Sequence, residues 1–89
     1  MQFEFDSKKS ESNKGKHGID FVEAQEIWLD PDRVEIPAKQ VDGESRFAVI
    51  GKVENEFWLA VITYRKTATR IISVRHPNRR QLKFYEESS

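Results

Sequence analysis

The sequence predicts an α+β domain, with two N-terminal helices and one C-terminal helix packed on an antiparallel sheet of about four to five strands. Three observations carry this. Apolar residues alternate through residues 46–53 and run almost unbroken through residues 57–64, with Glu54, Asn55 and Glu56 as a turn between them. Two capped helical patterns precede that pair of strands, and a proline-led stretch with Leu82 and Tyr85 on one side follows it. At 89 residues the chain makes one domain, 1–89, with room for a core and little stability to spare.

The elements follow in order. Residues 2–5 alternate polar and apolar as a short strand, and Asp6 is placed to cap a helix beginning near Ser7. Residues 7–17 contain no apolar side chain, so this helix cannot bury a hydrophobic stripe; Lys9, Asn13 and Lys16 or His17 share one face, and Gly18 suits its end. Asp20 and Glu23 resemble a capping box ahead of a second helix over residues 21–29, which Asp30-Pro31 stops. Residues 34–37 form a weak strand, residues 42–44 a turn, and residues 46–53, 57–64 and 70–75 three strands of an antiparallel meander. Pro77 suits the first position of the last helix.

Composition removes several function classes. There is no cysteine, so neither a disulfide framework nor a thiolate metal site is available. The first residues lack an apolar signal region, and no run of about 18 apolar residues occurs, so we expect no membrane association and a cytoplasmic protein. Phosphate-binding glycine loops and a nucleophile-elbow serine are missing, and the two histidines stand 59 positions apart. No cofactor and no metal are expected.

The zero net charge conceals an asymmetry. Residues 1–56 hold 13 acidic and 8 basic side chains, whereas residues 57–85 hold seven basic side chains and no acid. That last third therefore reads as a basic surface for a polyanion, most readily RNA, unless its charges pair across the fold. Arg65, Arg70 and Arg75 at strand ends, lysines and His17 on the first helix, and Tyr64 and Tyr85 form a phosphodiester tool kit. Paired arginines grip phosphate oxygens, and histidine, with a reference pKa of about 6.5, can donate or accept a proton. Each group also has a plainer assignment. His17 can simply end a helix, Trp28 and Trp58 fit the core, and the odd spacing of Arg70 and Arg75 sends them to opposite faces unless a bulge intervenes.

Phe5-Asp6, Lys9, Asn13, Lys16-His17-Gly18-Ile19, Phe21 and Ala24 resemble the opening signature of the BrnT toxin family. Asp30-Pro31, Gly43-Glu44, Arg46-Phe47, Arg70-Ile71-Ile72-Ser73, Arg75 and Tyr85 continue the resemblance almost to the end of the chain. It departs at Phe5, Val74, Pro77, Asn78 and Gln81, where the family has Trp, Ala, Ala, Thr and Glu. The resemblance implies a RelE-like fold and a type II toxin that cleaves RNA. It also implies a BrnA-like antitoxin partner, through which alone operator DNA is bound. Carried over by position, the catalytic candidates are Lys16, His17, Arg65, Arg70, Arg75 and Tyr85. Lys9, Asn13, Arg79, Arg80 and Lys83 are the RNA-binding candidates. A non-catalytic module that binds RNA, DNA or the antitoxin through the same basic face is the alternative.

Overall fold

Asp42 and Gly43 both take positive φ, 50° and 76°, and close a two-residue hairpin whose twist matches the strands it joins. In the computed structural model, which describes residues 1–88, that hairpin joins strands β2 (Val34–Val41) and β3 (Glu44–Val53). Strands β4 (Glu56–Tyr64) and β5 (Thr69–Arg75) continue the meander. The short β1 (Phe3–Glu4) then lies beside β5, giving the order β1-β5-β4-β3-β2. The pairing of β1 with β5 is parallel, through Phe3 with Thr69 and Glu4 with Arg70, so the sheet is mixed and not the all-antiparallel sheet expected. A parallel neighbour needs a long crossover, and the whole chain between these strands supplies it.

Helix α1 (Ser7–His17) begins as the sequence requires, with the Asp6 carboxylate accepting the Lys8 and Lys9 amide N–H groups, and it ends at Gly18 with φ of 83°. The second helix differs from expectation. Only Glu23–Leu29 is helical, and it is a 3-10 helix, so the N-terminal half holds one α-helix and one 3-10 turn structure. Asp20 and Glu23 do exchange the reciprocal bonds of a capping box. The tighter winding follows from the side chains that are buried: Ala24 and Ile27 are three apart, the repeat of a 3-10 helix. The segment also lies against bare backbone. A Cβ at Gly51 of β3 would stand 3.0 Å from Ile27 Cγ2 and 3.2 Å from its carbonyl oxygen.

The last helix, α2 (Arg79–Ser88), starts two residues after Pro77. Asn78 Oδ1 accepts the Gln81 amide N–H at 2.8 Å, and Gln81 Oε1 accepts that of Asn78 at 3.0 Å. Asn78 is thus the cap, and proline lies outside the helix.

The sheet carries a core on each face. Phe21, Ala24 and Ile27 pack on Val49, Trp58, Ala60, Ile62, Ile71 and Val74; Leu82 and Tyr85 of α2 pack on the other face, against Ala48, Ile50, Phe57 and Leu59. Helix α1 has nothing apolar to contribute to either. Polar side chains hold it instead: Ser10 Oγ accepts the Phe21 amide at 2.9 Å, Asn13 Oδ1 accepts that of Val74 at 3.1 Å, and Asn13 Nδ2 donates to the Ile19 carbonyl at 2.9 Å. Because β1 pairs only with Thr69 and Arg70, the rest of β5 would be an open edge, and Asn13 closes it.

Asp30 ties the other elements together. Its carboxylate accepts the Asp32 and Lys52 amides at 2.9 and 2.8 Å and the Tyr85 hydroxyl at 2.9 Å. Burial opposes its ionisation, but these donors outweigh it and the carboxyl titrates below its usual range. Burial, reinforced by Asp30, pushes the Tyr85 hydroxyl up to about 12.

Two stability predictions follow from these polar anchors. Asn13→Ala strands a buried N–H and a buried C=O and should cost about 2–4 kcal/mol in urea denaturation, against less than ~1 kcal/mol for the exposed Ser12→Ala. For the Asp30 anchor, the folded-state pKa is depressed, so its stabilisation is complete above the ordinary value of 3.8 and is lost as pH falls below it. Tyr85 is the reverse case, and its share is lost as pH rises from 10.0 towards about 12. Tyr85→Phe should therefore flatten the alkaline limb of a stability profile; an unchanged limb would refute the assignment.

Candidate functional site

Between Val61 and Ile62 of β4 the register against β5 slips by one residue: Ile62 faces Ile71, Val61 faces Ser73, and Ile72 has no partner. This bulge is what the odd spacing of Arg70 and Arg75 required. Arg70 pairs with Thr63 and Arg75 with Leu59, four residues apart on β4, so both arginines project from the face that α2 covers.

Helix α2 covers only one end of that face, the end where Ile50, Phe57 and Leu59 lie. At the other end a row of charged side chains crosses the strands. Arg70 Nη1 donates to Glu4 Oε2 at 2.8 Å, Arg65 Nη2 stands 3.4 Å from Glu44 Oε2, and Arg46 Nε stands 3.4 Å from Glu44 Oε1. With Lys9 and Asp6 from the start of α1, these arginines line a cavity of about 190 Å³. Lys9 and Ile72 also line an adjoining cavity of about 210 Å³, whose walls include Ser12, Lys16, His17 and Ser73. The first helix and the strands β3 and β5 meet here.

The candidates separate into groups. Lys9, Arg65 and Arg70 share the first cavity, and Lys16 and His17 the second. Arg75 stands apart: the bulge leaves it roughly 13 Å along β5 from Arg70, and its Nη1 donates to the His76 carbonyl at 3.0 Å and to Gln81 Oε1 at 3.1 Å, which fastens the start of α2. Tyr85 is buried under α2 with its hydroxyl given to Asp30, and packs edge-on against Phe57. Asn13, expected on the ligand-facing stripe, does line the second cavity, but it is only 8% exposed and has both ends of its amide engaged in the fold. Arg79, Arg80 and Lys83 are exposed on α2, away from the cavity walls. Tyr64 is engaged as well: its hydroxyl donates to Glu35, and burial, with that carboxylate, pushes its pKa up to about 12.

Two features of the site escaped the sequence reading. Arg46, which the sequence offers only as part of a motif, adds a third guanidinium to the cavity. Glu4 and Glu44 belong in sequence to the acidic part of the chain, but in space they pair with the basic part, so a stretch free of acid in sequence is not so in the fold. Pairs between distant segments leave no periodic signal. A guanidinium has five donors, and a single carboxylate contact leaves the others for a second anion. The glutamates thus fix the arginines while the cavity stays cationic, a setting suited to a phosphodiester. Among the described residues no three His, Cys, Asp or Glu side chains are grouped to hold a metal ion, and no helix is long and apolar enough to cross a membrane.

Comparison with known proteins bears on this arrangement. The family model described as ribonuclease toxin, BrnT, of type II toxin-antitoxin system matches residues 5–81, which span every element from α1 to the start of α2. A search of curated proteins returns no match.

If the cavity is an oxyanion site, inorganic phosphate titrated into the protein should shift the Arg46, Arg65 and Arg70 side-chain NMR signals. Arg65→Ala should weaken that binding roughly tenfold, the loss of one charge-assisted contact, while Arg79→Ala leaves it unchanged. Equal effects from both substitutions would mean that phosphate is attracted by overall charge alone.

Proposed function

The chain belongs to the BrnT family of ribonuclease toxins of type II toxin–antitoxin systems, and we propose that it is an endoribonuclease that cuts RNA without a metal in the cavity of Lys9, Arg46, Arg65 and Arg70. The observation that carries this reading is the convergence of three arginines and a lysine at the uncovered end of the sheet. In the reaction a ribose 2′-hydroxyl attacks the adjacent 3′-phosphate. The O2′–P bond forms and the P–O5′ bond breaks, leaving a 2′,3′-cyclic phosphate and a 5′-hydroxyl. Negative charge on the phosphoryl oxygens grows on the way, and fixed guanidiniums lower its energy most where it is greatest.

Two protons must move. One leaves the 2′-hydroxyl and one is delivered to the departing O5′. Lys16 and His17 line the neighbouring cavity across Lys9 and Ile72, so a nucleotide held at the arginines brings its sugar towards them. Arg75 and Tyr85 act at one remove: they hold α2 in place and touch no substrate. Arg79, Arg80 and Lys83 add long-range attraction for the strand. An antitoxin of the BrnA type, itself carrying the operator-binding function, is the partner, and the cytoplasm is the place of action.

Purified protein incubated with RNA in EDTA should yield fragments ending in 2′,3′-cyclic phosphate, and Arg65→Ala or Arg70→Ala should lower kcat/KM by roughly 100-fold or more, the usual loss of one transition-state donor. Salt-sensitive binding with no cleavage would select the non-catalytic alternative.

A further inference from the structure

The opposite face of the molecule has a different chemistry. Met1, Phe3, Trp28 and Leu29 line an open groove of about 410 Å³ beside the 3-10 helix, with Met1 81% and Leu29 79% exposed. Its floor is an aromatic pair, Phe3 and Trp28, meeting edge to face at 4.8 Å. Around it stand carboxylates. Glu26 lines this groove and two adjoining depressions, and the walls of those depressions hold Glu54 and Glu56 at the β3–β4 turn. Among the described residues none of these three has an ion pair. The nearby cations make other contacts: Lys14 holds Glu23 at 2.8 Å, Lys52 lies over the Phe57 ring, and Arg33, itself in the groove wall, donates to the Asp30 carbonyl at 3.2 Å and makes no ion pair among the described residues. The contrast with the arginine cavity is direct, because there each guanidinium has a carboxylate.

Like charges left together around an apolar floor are relieved by a partner that brings cations and apolar side chains at once. We propose that this groove docks the antitoxin, through an amphipathic segment with apolar side chains entering over Trp28 and Leu29 and Lys or Arg side chains meeting Glu26, Glu54 and Glu56. The family supplies the partner, an antitoxin, and the proposed operator-binding role of that antitoxin, on which this inference rests, calls for basic segments in it. RNA would meet Glu26, Glu54 and Glu56 here, with Arg33 as the one basic side chain in the groove wall among the described residues, a poorer match than the arginine cavity. A second copy, offering Phe84 and the basic side chains of α2, would join unlike surfaces in a contact that propagates and does not close. The docking site and the arginine cavity therefore lie on opposite faces of the sheet, and an antitoxin anchored here reaches the cavity only by extending around the molecule.

Calorimetric titration of the purified chain with its cognate antitoxin tests this. Leu29→Glu should weaken the complex roughly 100-fold as the loss of a central anchor, and the pair Glu26→Lys with Glu54→Lys roughly tenfold, whereas Arg65→Ala should change it little. Leu29 and Glu26 are exposed, so the variants should keep the wild-type unfolding transition and RNA cleavage, and Leu29→Glu should cleave RNA even with antitoxin present. Wild-type affinity in both groove variants overturns the proposal. So does loss of affinity confined to Arg65→Ala, which would place the antitoxin on the cavity, or self-association of the free chain that Leu29→Glu abolishes while antitoxin affinity is kept. A wild-type chain that leaves RNA uncut refutes the ribonuclease mechanism, and the affinities still decide the docking site.

Discussion

A helix without one apolar side chain has to be held by hydrogen bonds, and the buried amide of Asn13 is where that requirement is met. Its carbonyl oxygen takes the Val74 amide from the strand and its nitrogen donates to Ile19 in the loop behind. With Ser10 on the Phe21 amide, this fastens α1 to the one strand edge that β1 leaves open. Everything polar on that side of the molecule depends on this docking. Lys9, Lys16 and His17 reach Ile72 and Ser73 because α1 cannot slide or rotate without breaking buried hydrogen bonds. The hydrophobic cores stabilise the sheet; the helix that completes the cavities is positioned by polar geometry.

Much of the local structure was legible. Asp6, Gly18, the Asp20 and Glu23 box, the Asp30-Pro31 stop and the Asp42-Gly43 turn each act through bonds to near neighbours, which is why residue type and spacing reveal them. The parallel partnership of β1, the 3-10 winding over Glu23–Leu29 and the bulge at Ile72 depend on distant packing and were not legible. The candidate site shows the same division. Its residue types could be read, but the convergence of Arg46, Arg65 and Arg70 waits on strand register, and the assignment of Asn13 to the fold waits on which amides lack partners. At Asn78 and Gln81, two positions where the family resemblance breaks, Asn with Gln three residues later makes a reciprocal cap of the capping-box kind.

Charge is sorted by face. Glu4 and Glu44 lie among the arginines, while Glu26, Glu54 and Glu56 stand by an apolar groove on the other side of the sheet. A formal net charge of zero is therefore compatible with two surfaces of opposite preference on one small domain. The 3-10 helix contributes to both outcomes, since its inner residues fill the core at Gly51 while its outer ones, Glu26 and Leu29, face solvent.

The pairing of Glu4 with Arg70 joins residues 66 positions apart. Such a contact closes a long loop and belongs late in folding, after the β3–β4–β5 meander has formed. During synthesis, the ribosome has to release β5 before β1 can pair or α1 can dock on Val74. The arginine cavity is thus absent from every nascent chain that ends before β5. A molecule of this architecture therefore cannot assemble its arginine cavity until β5 has left the machinery that makes it.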